Sequence, residues 1–152
     1  MILPITLTLA GAAAILHIWL AARVSRLRRL LKIGVGDGGN EALLRRIRAH
    51  GNYVENMPLF LILIGLIELA GGDRRILWAV GIAFILARIA HAFGMDGPTR
   101  LRLRVIGMIT STFVILGLAI WALSFAYFEP APPNGEEIQI GPGRTAQAAP
   151  QT

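Results

Sequence analysis

Residues 55–68 read ENMPLFLILIGLIE, and whether they cross a bilayer sets the number of helices in the bundle. Twelve uncharged residues, Asn56 to Ile67, stand between Glu55 and Glu68. Taken alone, that run falls short of the roughly 20 residues a helix needs to cross a bilayer. It becomes a full span if the two carboxylates turn toward the interior of a helix bundle. The same choice arises at Ile76–Ala87, another 12 uncharged residues, followed by Arg88 and then apolar residues up to Met95. Two outer runs leave no choice. Met1 to Ala22 carries no charge, and Val105 to Phe128 gives 24 residues without one. With Glu55, Glu68 and Arg88 facing inward, and a turn at Gly71-Gly72-Asp73, four helices follow near 3–31, 42–70, 75–95 and 99–127. The expected fold is all-α, a four-transmembrane-helix bundle over residues 1–128. Residues 129–152 hold five prolines and no periodicity, and read as a flexible tail.

Composition agrees with this choice. The chain of 152 residues is 55% hydrophobic and 16% charged, against about 25% charged in soluble domains. Mean hydropathy is +0.60, yet the formal net charge is +6. An apolar body carrying basic residues disfavours a nucleic-acid-binding domain. The absence of cysteine excludes a disulfide scaffold. A cleaved signal peptide is disfavoured because no basic region precedes the first apolar run. A soluble four-helix core is disfavoured because residues 1–22 and 105–128 lack a polar face. Two small-residue patterns, Ala10–Ala14 and Gly107 with Ser111, mark expected close helix contacts. The glycine-rich segment Ile33–Asn40 follows no strand, so a nucleotide loop is a weak reading.

The basic residues are unevenly placed. Residues 23–48 hold seven arginines and Lys32, and the third connection adds Arg100, Arg102 and Arg104. The opposite face has Arg74, Arg75 and Arg144. Positive charge collects on the cytoplasmic side of membrane proteins, which places loops 1 and 3 of this multi-pass protein in the cytoplasm and both termini outside.

A smaller polar set is not explained by orientation. Arg45, Arg48, Asn52 and Glu55 follow spacings of three, four and three, and so share one face of helix 2. Arg88 and His91 make a matching stripe on helix 3. The simplest account is a Glu55–Arg88 ion pair that fixes packing. The sharper one is a pocket for a small zwitterionic or anionic ligand, since arginine forks bind carboxylates and a carboxylate holds an amino group. His50 and His91 lack acidic or cysteine partners at ligand spacing, so no metal is expected. His17 reads as a packing histidine, and Glu68 and Asp73 as solvated residues near the outer turn. No nucleophile elbow or Ser–His–Asp set occurs. A proton-coupled exporter ranks last, because helix 1 offers only His17.

The stretch Arg48-Ala49-His50-Gly51-Asn52-Tyr53-Val54-Glu55-Asn56-Met57-Pro58 resembles the helix 2 signature of the MAPEG family, the membrane-associated proteins in eicosanoid and glutathione metabolism. Arg88-Ile89-Ala90-His91 and Arg104 resemble the family's markers on helices 3 and 4, and the likeness runs over about residues 3–127. It implies a homotrimer of four-helix subunits in a lipid membrane, with glutathione as co-substrate bound between subunits near the cytoplasmic side. By position, Arg48, Asn52 and Glu55 would hold the tripeptide's carboxylates and amino group. His50, Arg88 and His91 would line the same cavity, and Arg23 or Arg26 would add a cation. Arg104 would lie by the thiol and act as the catalytic residue. The thiolate would attack a lipophilic electrophile arriving from the bilayer, as in a glutathione transferase or peroxidase.

Three positions depart from the family pattern. Met95 stands where a tyrosine is often found, Gly51 where some members carry arginine, and Val105 follows Arg104 where a serine would help polarise the thiol. These departures point away from dedicated prostaglandin or leukotriene synthesis. They leave a general transferase, or a member whose polar stripe only stabilises the trimer.

Overall fold

The computed structural model describes residues 2–128, and the tail reading for 129–152 lies outside the described residues. Four long helices run in order: α1 (Pro4–Leu31), α2 (Glu41–Leu69), α3 (Arg74–Gly94) and α4 (Leu101–Phe128), with a 3₁₀ turn at Pro98–Arg100 ahead of α4. All four are long and apolar enough to cross a membrane. The inner pair thus qualify as spans by length and composition, but not in the way expected: Glu55 is exposed on the outer side of α2 and does not turn into the bundle.

Local chemistry accounts for the helix ends. Asn40 caps α2, its side chain accepting from the Leu43 amide at 3.0 Å. Asp73 caps α3, accepting from the amides of Arg75 at 2.8 Å and Ile76 at 3.0 Å. The start of α1 has Pro4 in its first turn and no cap from its own residue Leu3. Its exposed amides are taken up from another helix. Glu68, at the end of α2, accepts from Ile5 N at 2.9 Å, Thr6 N at 2.7 Å and the Thr6 hydroxyl at 2.7 Å. A carboxylate at a helix N-terminus also suits the helix dipole. Glu68 and Asp73, expected to be merely solvated, are thus both capping groups. Pro58 sits inside α2 without breaking it, which membrane helices tolerate when neighbours cover the freed carbonyl.

The core is a line of side chains along the bundle. Ile5, Leu9, Ala13, Leu16 and Leu20 form the buried stripe of α1. Phe60 of α2 and Phe84 of α3 stack with ring centroids 3.9 Å apart and planes 6° from parallel. Tyr53 of α2 donates to the Ala13 carbonyl at 2.5 Å, tying α2 to α1. Gly107 and Ser111 are buried on α4, whose surface is otherwise largely exposed. A Cβ on Gly107 would come within 2.5 Å of the Ala87 carbonyl oxygen and 2.7 Å of the His91 nitrogen. The α3–α4 crossing is therefore a backbone-to-backbone approach, as the Gly107–Ser111 pattern implies. The Ala10–Ala14 expectation holds only at Ala13. A Cβ on Gly11 would meet nothing within 4 Å from another helix, because that side of α1 points away from the bundle.

Loops 1 and 3 share one end of the bundle. Arg23, near the end of α1, forms an ion pair with Asp96 in the α3–α4 connection, and Arg46 of α2 donates to the Arg23 carbonyl at 3.2 Å. Glu68 and the first turn of α1 mark the other end.

Candidate functional site

The polar residues of α2 separate onto two sides once the helix is packed. Arg48, Asn52 and Glu55 keep to one side, toward α3 and the outside. His50 lies two residues from Arg48, about 200° around the helix, and faces α1. There its Nε2 lies 3.4 Å from His17 Nδ1, with ring centroids 4.9 Å apart. The two imidazoles satisfy each other, and His50 and His17 form a second polar point distinct from the stripe.

Asn52 carries the stripe into the bundle. Its side-chain oxygen accepts from Arg88 Nη2 at 2.5 Å. Arg88 Nη1 donates to Ser111 Oγ at 3.3 Å, and that hydroxyl donates to the Gly107 carbonyl at 2.7 Å. One guanidinium thus joins α2, α3 and α4. Arg88 is only 2% exposed, and its Nε has no partner among the described residues. No described carboxylate pairs with Arg88, so the expected Glu55–Arg88 ion pair does not form. Glu55 is exposed on the outer side of α2 instead. Arg48 is exposed too, with no ion-pair or hydrogen-bond partner among the described residues. Along the helix the two charges stand about 10 Å apart at 1.5 Å per residue.

His91 and Arg104 meet at the arginine-rich end of the bundle. The His91 Nδ1 lies 3.3 Å from the Arg104 carbonyl oxygen, and the His91 ring is buried. Gly94, one turn further along the same face of α3, meets the same stretch of α4, since a Cβ there would fall 2.2 Å from the Arg104 backbone nitrogen. The backbone of Arg104 is therefore clamped while its side chain is exposed. Arg23 has a different setting. It pairs with Asp96, lies over the Trp19 ring at 4.7 Å and the Phe93 ring at 5.7 Å, and approaches the Ala92 carbonyl at 3.5 Å.

Of the residues singled out in the sequence, Asn52 and Arg88 come into direct contact, and His91 meets Arg104 through its backbone. Arg48 and Glu55 share the stripe with Asn52 but face outward. Among the described residues, no group of three His, Asp or Glu side chains is placed to hold a metal ion. Three contributors have roles that spacing does not reveal: Ser111 as the second partner of Arg88, Asp96 as the partner of Arg23, and Glu68 as the cap of α1. A lone acid in a basic loop was the available signal for Asp96.

Comparison with known proteins bears on this geometry. The model of the MAPEG family matches residues 6–124. The chain belongs to the MAPEG family. It is also similar to the inner membrane protein YecN of Escherichia coli, 33% identical over 85 residues in strain K12, with 56% of this chain and 65% of the relative covered. YecN of Escherichia coli O6:H1, strain CFT073, matches to the same extent. The matched region is thus just under two thirds of the length of these relatives. A MAPEG match, inner-membrane relatives and four apolar helices together make this a multi-pass inner membrane protein.

Proposed function

We propose that this MAPEG member is a homotrimeric membrane transferase that binds glutathione between subunits and delivers its thiolate to a lipophilic electrophile. The observation that carries the reading is the outward-facing pair Arg48 and Glu55, set one turn either side of Asn52. An ionisable group at the centre of a membrane helix costs about 2.5–3.5 kcal/mol on insertion scales, so such residues pair or line a site. Neither finds a partner within its own described subunit. A cation, an amide and a carboxylate in line suit a tripeptide that carries two carboxylates and an amino group. Arg48 would take a carboxylate, Glu55 the ammonium group, and Asn52, already oriented by Arg88, a backbone amide of the ligand.

The chemistry follows from charge. A free thiol has a pKa near 8.5, and a neighbouring cation raises the thiolate fraction at neutral pH. Arg104 supplies a permanent cation on a backbone held by His91 and Gly94. The thiol proton leaves to solvent, the sulfur forms a C–S bond with the electrophilic carbon, and a leaving group departs with its electron pair. Loops 1 and 3 face the cytoplasm in this reading, where glutathione is available.

The decisive assay is conjugation of glutathione to a generic aromatic electrophile by the purified protein. Turnover that falls sharply in Arg104→Ala while glutathione binding persists supports the reading, and no turnover in the parent protein refutes it. The Asn52–Arg88–Ser111 bonds favour one other reading, in which the polar groups only stabilise the trimer. Under it, Glu55→Gln dissociates the oligomer, and the protein has no affinity for glutathione.

A further inference from the structure

The geometry points to a binding site for an anionic phospholipid on the outer face of α1, with the headgroup phosphate held by Arg26 and Arg29 and an acyl chain lying along Gly11, Ile15 and Ile18. Four arginines at this end of the bundle already have partners. Arg23 pairs with Asp96, Arg28 approaches the Gly34 carbonyl at 3.3 Å, Arg45 pairs with Glu41 at 2.5 Å, and Arg46 donates to the Arg23 carbonyl. Arg26 and Arg29 are exposed and have no partner among the described residues.

Their position on the helix is what separates them from a general surplus of charge. At 100° per residue, Gly11, Ile15, Ile18, Ala22, Arg26 and Arg29 fall within an arc of about 80°, on the side of α1 opposite its buried stripe. Ile15 is 72% exposed and Ile18 is 67% exposed, and nothing lies within 4 Å of a Cβ on Gly11. In a membrane this face meets acyl chains. The helix of 28 residues is about 42 Å long, and the hydrocarbon core takes only about 30 Å of it. The apolar face therefore turns cationic where it reaches the headgroup layer. Two guanidinium groups one turn apart match a phosphate, which accepts paired N–H bonds from such forks. A topology signal alone requires charge at this end, not charge in line with the lipid-facing stripe. The leucine that follows, Leu30, is 73% exposed and extends the apolar contact beside the arginines.

Native mass spectrometry of the full chain in detergent, with added phosphatidylglycerol or phosphatidylcholine of identical acyl chains, tests the site. The expected result is retention of phosphatidylglycerol about ten-fold or more above phosphatidylcholine. That preference should fall to near parity in Arg26→Gln/Arg29→Gln. It should survive in Arg26→Lys/Arg29→Lys and in Arg74→Gln/Arg75→Gln at the opposite end. Equal retention of the two lipids by the parent chain overturns the proposal, as does a preference unchanged in the double glutamine variant. A change of oligomeric mass in that variant also overturns it, since the face would then be covered by a second copy of the chain.

Discussion

Arg88 concentrates the energetics of the site in one side chain. A buried guanidinium is tolerable only while its donors are used, and two of its nitrogens are, by Asn52 and Ser111. The Asn52 bond is the shorter, 2.5 Å against 3.3 Å, and removing it should cost more. Asn52→Ala is expected to lower stability by about 1.5–3 kcal/mol and Ser111→Ala by about 0.5–1.5 kcal/mol, read as thermal unfolding midpoints in detergent. The reverse order would mean that Asn52 does not anchor Arg88. His17→Leu removes the only described partner of the His50 ring and should cost about 1–3 kcal/mol in the same assay. An unchanged midpoint would show that the imidazole pair is not bonded. Helical spacing made Asn52 and Arg88 legible as polar residues facing a bundle, but not which group each would meet. Periodicity fixes the side of a helix a residue occupies and carries nothing about the neighbour on that side. Spacing alone therefore offers Glu55 as a partner for Arg88, and carries no sign of the His17–His50 and Arg23–Asp96 contacts, which join residues far apart in the chain.

The helices themselves were readable because a bilayer imposes a length and punishes charge. Uncharged runs and the turn at Gly71-Gly72-Asp73 place every helix end within two residues of its observed position. Where the helices touch depends on small residues, and only some of these are legible. Gly107 packs against the α3 backbone as its spacing with Ser111 implies, whereas Gly94 gave no pattern of its own and yet meets the Arg104 backbone. Gly94→Ala should force α4 away from α3 at its first turn, with an overpacking cost of about 1–3 kcal/mol. If Arg104 is the thiol-activating cation, the same variant should lower glutathione turnover more than glutathione affinity. Wild-type stability and turnover in Gly94→Ala would contradict the clamp. At the other end of α1, Glu68→Ala should cost about 0.5–2 kcal/mol, as loss of a helix cap does, with faster hydrogen exchange confined to the first turn of that helix. Exchange that is unchanged there would show that Glu68 does not hold the helix end.

For the molecule as a whole, the uneven basic charge makes a directional prediction. The natural sequence has no cysteine, so single introduced thiols report topology cleanly. Ile2, 80% exposed at the N-terminal end, and Val35, 92% exposed in the first connection, lie at opposite ends of the bundle. A membrane-impermeant maleimide should label Ile2→Cys in intact spheroplasts and Val35→Cys only after lysis. The opposite pattern would invert the orientation and remove the cytoplasmic glutathione supply from the site. If the outward stripe of α2 is a glutathione site, calorimetric titration of the purified protein with glutathione reads it without any need for turnover. Saturable binding by the parent protein, weakened about ten-fold or more in Arg48→Ala, is the predicted result. No binding heat in the parent, or the same affinity in Arg48→Ala, would contradict it.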